Sequence, residues 1–351
     1  MRVLVTGGAG FIGSHFVRRM LAGAYPQFAD AEITLLDAFT YAGSMVNLSS
    51  AHGDPRLDVI PGDICDAPLV ADVMRGVDCV VHFAAESHVD RSIAGAQEFI
   101  RTNVLGTQTL LQAALDAGVG KFVHVSTDEV YGSIETGSWD ETQSLAPNSP
   151  YSASKASSDL LVRSFHRTHG LHTCITRCSN NYGPFQLPEK VIPLFVTHLM
   201  DGRKVPLYGD GEHVRDWLHV DDHCQGIALV AAGGRSGEVY NIGGGTELSN
   251  RELTGRLLDL LELDWSMVEW VADRKGHDRR YSVNTGKISA ELGYAPRVPF
   301  EDGLADTVRW YQENRDIWEP RKWALPERKS AAPDTSALAV GAAGAGFGGG
   351  L

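Results

Sequence analysis

Two acids stand side by side in STDEVYG (126–132): Asp128 and Glu129, with Thr127 just before them. Downstream, YSASK (151–155) sets Tyr151 and Lys155 four residues apart, hence on one helix face. A nearby ammonium favours phenolate, so Tyr151 could serve as a base near neutral pH. Two carboxyls at short range do not both ionise easily, so such a pair divides into one protonated acid and one ionised base. Together these groups suit proton removal at one atom and proton delivery at another, which is more than hydride transfer alone requires. Neighbours in a strand point oppositely, so the chain must turn at 127–129 for both acids to face one site.

A second constellation opens the chain. In VLVTGGAGFIG, Gly8, Gly10 and Gly13 satisfy G-x-G-x-x-G and Gly7 extends it. Backbone without Cβ lets a diphosphate sit against amide groups at the positive end of a helix. The next strand, ITLLD, ends in Asp37, which can accept hydrogen bonds from adenosine ribose hydroxyls and would repel a 2′-phosphate, so NAD is favoured over NADP. GDICD (62–66) and FAAES (83–87) end the following strands. Asp63 is placed to reach the adenine, and Ala84 and Ala85 are small enough to lie along the cofactor.

The elements that must position these residues follow from the pattern. Apolar, β-branched runs (RVLVTG, EITLLD, LDVIPGD, CVVHFAAE, KFVHVST, HTCITR) alternate with helical stretches at 13–24, 96–118 and 152–169. This predicts an α/β fold, a doubly wound parallel sheet of Rossmann type with a smaller, interleaved α/β substrate-binding lobe. The nucleotide-binding unit is expected over 1–178, joined by about 214–243, and the lobe over 179–213 and 244–325. From 327 to 351 the composition collapses into Ala, Gly and Ser, as in a disordered tail.

Composition sets outer bounds. The chain has 351 residues, 43% hydrophobic and 21% charged, with a net charge of −13. This is the composition of a soluble enzyme-sized protein and disfavours a nucleic-acid surface. The N-terminus breaks into glycines too early for a signal peptide, and no apolar run is long enough to span a membrane, so a cytoplasmic location is expected. Five scattered cysteines read as buried thiols. His219, Asp221, Asp222 and His223 stand close together in WLHVDDHC, but a strand ending in Asp before an apolar helix reads as an ordinary N-cap rather than a metal site.

The glycine turn, STDEVYG and YSASK together resemble the extended short-chain dehydrogenase/reductases. Within them the chain is similar to the dTDP-glucose 4,6-dehydratases over roughly residues 1–320, with FAAESHVDRSI, RTNVLGT, RCSNNYGPFQLPEKVIP, GDGEHVRDWLHVDDHC and GHDRRY as further matching stretches. The resemblance implies that Tyr151 takes the proton of a sugar 4-hydroxyl while NAD accepts the hydride from C4. The 4-ketone then acidifies C5. Asp128 acts as the acid that protonates the leaving 6-hydroxyl, Glu129 as the base that takes the C5 proton, and Thr127 holds the 4-oxygen. Hydride returns to C6, so NAD is recycled within each turnover.

The resemblance also implies that Phe11, Ile12, Ile64, Ser87 and Asn103 line the cofactor site. It puts Ser87, His88, Asn180, Asn181, Lys190, Arg215, Asn250 and Tyr281 at the sugar nucleotide, with either Arg279 or Arg280 on the diphosphate. It suggests a homodimer paired through the helices 96–118 and 152–169. Its pattern leads one to expect a lysine after Asp37, where this chain has Ala38. Rival readings are a 4-epimerase or decarboxylase of the same fold, a dehydratase acting on a UDP-sugar, or a non-catalytic NAD-binding regulator. Nothing in spacing or composition separates thymine from uracil.

Overall fold

The computed structural model describes residues 1–323; the Ala/Gly/Ser stretch 327–351 lies outside them. Twelve strands are present among these residues: β1 Arg2–Thr6, β2 Glu32–Asp37, β3 Leu57–Pro61, β4 Cys79–His82, β5 Lys121–Thr127, β6 Thr173–Cys178, β7 Asn180–Tyr182, β8 Val205–Tyr208, β9 Val214–His219, β10 Val239–Ile242, β11 Glu247–Ser249 and β12 Val268–Val271. Seven form one sheet in the order β3-β2-β1-β4-β5-β6-β10, every neighbouring pair parallel. The order reverses between β1 and β4, so the strand ends there open a crevice, the place where such sheets bind ligands.

Strand alternation explains the two-sided core. Val3 and Val5 face one apolar cluster and Leu4 the other, all fully buried. The helices Phe11–Leu21 and Val220–Gly233 cover the first face. Leu110, Leu111 and Val162, from the helices Thr107–Ala117 and Pro150–His169, cover the second.

The second half of the chain builds two small sheets, β11-β9-β7 and β12-β8. Beneath them Ile192, Phe195, Leu253, Leu257, Tyr311 and Trp318 form a separate cluster. In the stretch 214–243, β10 and the helix Val220–Gly233 belong with the large sheet, whereas β9 pairs with β7 and β11. The element read as one helix over 96–118 contains a wider π-helical stretch, Ile100–Gly106, leading into the helix Thr107–Ala117. Asn103 lies within that stretch.

Candidate functional site

Two cavities open at the C-terminal ends of the strands. The larger, about 380 Å³, is walled by Gly7, Gly10, Phe11, Ile12 and Gly13 on one side, by Asp37, Asp63 and Ile64 further out, and by Ala84, Ala85 and Ser87 after β4. The smaller, about 170 Å³, is walled by His88, Arg215, Asn250 and Tyr281. Ser87, Glu129, Asn180, Asn181 and Lys190 line both, so the two spaces meet at Glu129, with Asp128 on the larger side.

The glycine turn is shaped for close approach. Gly7 has φ +69°, and a Cβ there would stand 2.5 Å from the Ala84 amide nitrogen. The helix that follows starts at Phe11, and its first residues, Phe11, Ile12 and Gly13, line the cavity. Asp37 accepts from the amides of Ala9 at 2.9 Å and Phe39 at 2.8 Å, while burial holds its carboxyl above the usual range. Asp63 pairs with Arg101 at 2.8 Å and accepts from the Cys65 amide at 2.8 Å.

β5 delivers the acid pair. Thr127 ends the strand in extended geometry, and its Oγ1 accepts from the Glu129 amide at 3.2 Å, capping a short 3₁₀ turn over Asp128–Tyr131. This is the turn that two adjacent acids need, and both line the larger cavity. Their surroundings differ. Burial raises the Asp128 carboxyl well above its ordinary value, and Glu129 and Asp216 add to the rise. Its Oδ2 is buried without a hydrogen-bond partner among the described residues. Burial also raises Glu129, but Arg274, Arg215 and Lys190 oppose the shift. The pair is therefore graded: Asp128 is the better proton holder and Glu129 the better anion.

Ser149 caps the helix Pro150–His169 in a reciprocal capping box with Ser152, which seats Tyr151 and Lys155 in the first turns. Burial lowers the Lys155 ammonium to about 8 and its Nζ donates to the Val125 carbonyl at 2.8 Å. Around Tyr151 the protein's own groups oppose ionisation. Burial first, then the charges of Glu129, Cys178 and Asp128, push its phenol well above its ordinary value, against one hydrogen bond to Thr127. Protein groups alone do not make this tyrosine a base at neutral pH, because the lysine is directed to a carbonyl and three acidic groups crowd the ring.

In the smaller cavity the Lys190 Nζ donates to the Ser87 carbonyl at 2.6 Å. Arg215 lies 4.2 Å over the Tyr281 ring and donates to the carbonyls of Val214 at 2.7 Å and Asp278 at 2.9 Å. Tyr281 is fixed in turn by its hydroxyl, which donates to Asp278 Oδ2 at 2.7 Å. Burial lowers both Lys190 and Arg215, so each is a cation with little water around it.

Three residues fall elsewhere than the sequence reading put them. Asn103 is not on a cavity wall: its side chain accepts from the Glu86 amide at 2.8 Å and donates to the Glu86 carbonyl at 3.0 Å and to Ser154 Oγ at 2.8 Å. It clamps the loop after β4 to the helix Pro150–His169. Arg279 is exposed and paired twice with Asp210, at 2.8 and 3.0 Å. Arg280 is paired twice with Glu247, at 2.7 and 2.9 Å. Neither lines either of these two cavities; each has a local carboxylate that takes its fork.

Arg274, which the sequence reading missed, lines the smaller cavity instead. It reaches Asp90 at 3.4 Å, and its Nε is buried with no hydrogen-bond partner among the described residues. The available signal was position: Arg274 stands two residues before GHDRRY. His277, also missed, lines the same cavity and is held by Asp273, which bridges to His213. In WLHVDDHC each group is engaged within the protein. His219, not an aspartate, caps the helix Val220–Gly233, Asp221 meets His15, Asp222 accepts from the amides of Arg297 and Val298, and His223 bonds Asn181.

Comparison with known proteins agrees with this layout. The family model described as GDP-mannose 4,6 dehydratase matches residues 4–307. A dTDP-glucose 4,6-dehydratase of Streptomyces antibioticus is 62% identical over 323 residues, covering 92% of this chain and 96% of that protein. The crystal structure of DesIV, a dTDP-glucose 4,6-dehydratase from Streptomyces venezuelae solved with NAD bound, superposes with a TM-score of 0.91 at 68% identity, over 92% of this chain and 100% of that one. A UDP-glucose 4-epimerase from Thermotoga maritima shares the fold with a TM-score of 0.82 at 30% identity, over 90% and 100% of the two chains.

Proposed function

The chain belongs to the GDP-mannose 4,6 dehydratase family, and from that premise we propose that it is an NAD-dependent dTDP-glucose 4,6-dehydratase, a hydro-lyase that makes dTDP-4-keto-6-deoxy-glucose for deoxysugar biosynthesis. The observation that carries this reading is the buried, graded acid pair at the junction of the two cavities. A 4-epimerase has no use for a proton donor and a proton acceptor set side by side.

NAD fits the larger cavity on this chain's own features: the Cβ-free turn at Gly7, the helix start behind it, and the Asp37 carboxylate at the far end. When bound there, it accepts a hydride from sugar C4 and gives one back at C6. The protein moves the protons. Tyr151 takes the proton of the 4-hydroxyl, with Thr127 holding the oxygen. The positive charge of the oxidised nicotinamide, added to the Lys155 ammonium, would offset the burial that keeps the tyrosine protonated. Glu129 then removes the C5 proton, acidic beside the new ketone, and Asp128 protonates the departing 6-hydroxyl. A proton returned to C5 by Tyr151 or water completes the product. The atoms balance as loss of one water with no net redox change, so the cofactor need not leave.

On the other side of the acid pair, Arg215 and Arg274 are the two arginines of the smaller cavity, suited to a nucleotide diphosphate. Asn180, Asn181, Lys190, Ser87 and His88 surround the hexose, and Asn250 and Tyr281 stand toward the nucleotide. We further read the protein as a cytoplasmic homodimer. Five free cysteines, four of them buried, fit a reducing compartment. Among the described residues no helix is long and apolar enough to cross a membrane.

The test is to incubate the purified protein with dTDP-glucose in deuterium-enriched water, adding no cofactor. The expected product has lost one water and gained one deuterium at C5. A product that keeps its 6-oxygen would favour the epimerase reading. Bound NAD without turnover of any nucleotide sugar would leave a binding protein.

A further inference from the structure

One wall of the larger cavity is supplied by neither the glycine turn nor the strand ends. The helix Arg315–Trp323, last of the described chain, brings Arg321 to it. The guanidinium donates from Nη1 to Asn47 Oδ1 at 2.9 Å and from Nη2 to the Ala42 carbonyl at 2.9 Å. Asn47 is itself a brace of the glycine turn, donating from Nδ2 to the Ala9 carbonyl at 2.8 Å. Arg18 reaches the same asparagine from the first helix, donating to its carbonyl and to Ser14 Oγ, and lies 4.4 Å over the Phe185 ring. Two guanidiniums therefore converge beside the turn.

What they lack is an anion. The partners of Arg321 are an amide oxygen and a carbonyl, and no carboxylate acts on Arg321 or Arg18 among the described residues. Of the other arginines drawn out of water, Arg177 meets Asp159 and Arg91 meets Glu189, whereas Arg215, which donates to carbonyls, is on the wall of the smaller cavity. A cation drawn out of water without a counter-charge is costly unless a ligand completes it. The glycine turn and helix start beside it are built for a diphosphate.

We infer that Arg321 is a cofactor-binding residue that completes the charge of the dinucleotide diphosphate from the C-terminal helix, so that this helix clasps the cofactor between turnovers. The inference rests on the NAD reading above. It gives that reading a structural reason for retention: the clasp comes from the far end of the chain and must lift before the cofactor can leave.

Arg321→Met and Arg321→Lys would be purified, and their NAD content and rate of NAD release compared with the native protein. Displacement of bound NAD by ADP and by adenosine would be measured alongside. A charged hydrogen bond of this kind predicts NAD and ADP affinities about 10- to 100-fold weaker in Arg321→Met. Adenosine affinity should be unchanged, and Arg321→Lys should recover most of the loss. Unaltered NAD and ADP binding in Arg321→Met would overturn the inference. So would an equal loss for adenosine, which would make Arg321 only a brace of the 42–47 loop. A native protein that holds no NAD would instead bring down the cofactor reading itself, so the two failures are distinguishable.

Discussion

Asp128 and Glu129 are chain neighbours with unlike surroundings, and their substitutions should therefore fail at different steps. Asp128 holds its proton because it is buried beside a second carboxyl. Asp128→Asn keeps the shape and removes the acid, so oxidation at C4 should proceed while elimination slows by about 10²–10⁴-fold. Enzyme-bound NADH should then accumulate in stopped-flow absorbance. An equal loss of both steps would contradict the separate role given to Asp128. Glu129→Gln should block C5 exchange with solvent deuterium.

The pH dependence has two limbs. The acid must be protonated and the base ionised, so the elimination step is lost as pH rises through the raised Asp128 value and also as it falls through that of Glu129. With the Glu129 charge gone, the Asp128 value should fall, an effect readable from the carboxyl stretch in the infrared. At this scale the sequence was informative where side chains act locally: Gly7, Gly10, Gly13, Asp37, the acid pair, Tyr151 and Lys155 all line the larger cavity, while Gly8 packs against Leu35. It was less so for the arginines, because an arginine's target depends on which carboxylate folds beside it. Asp210 and Glu247 take Arg279 and Arg280, whereas Arg274, which meets Asp90 at 3.4 Å, lines the smaller cavity.

Elements meet behind the site through one buried network. Asp159 lies one turn beyond Lys155 on the helix Pro150–His169 and accepts from Arg177 Nε of β6 at 2.8 Å. Arg177 also donates to the Tyr131 hydroxyl at 2.8 Å, in the turn that carries the acid pair. The network thus ties helix, strand and catalytic turn together without touching a ligand.

Arg177 and the His124 beside it hold the Asp159 carboxyl at about 2, against an ordinary 3.8, despite full burial. Its contribution to stability is present above the ordinary value and lost as pH falls from about 4 toward 2. Asp159→Asn leaves a buried guanidinium unpaired and should cost about 3–5 kcal/mol in urea denaturation at pH 7. Loss of stability below about 1 kcal/mol would mean that Arg177 finds another partner. Apolar runs made the central strands legible, because β4, β5 and β6 are buried on both faces, unlike the edge strand β3. The π-helical stretch at Ile100–Gly106 was not, since its side-chain period differs little from a helix; what marks it is the inward turn of Asn103 onto the Glu86 backbone.

At the scale of the whole molecule, the described residues include an exposed apolar face that the fold does not explain. Ile100 is 51% exposed, Leu105 50%, Leu160 53% and Ile93 41%. All lie on the Val89–Ala94 helix, the Ile100–Gly106 stretch or the Pro150–His169 helix. These elements pack side by side on one layer of the sheet, so their outward apolar residues make a patch rather than scattered points. A second copy placed about a two-fold axis would cover each patch with its equivalent, giving four helices across the interface. The patch was only half legible in the sequence: the two helices stood out by length, but which of their apolar residues face outward depends on how the sheet takes up the rest. Light scattering should find the native protein at twice the chain mass. Replacing Leu105 and Leu160 together with Arg should yield a folded monomer that still carries the acid pair, because neither residue lines a cavity. A native monomer at micromolar concentration, or a double variant still at twice the chain mass, would show that this face is not where copies meet.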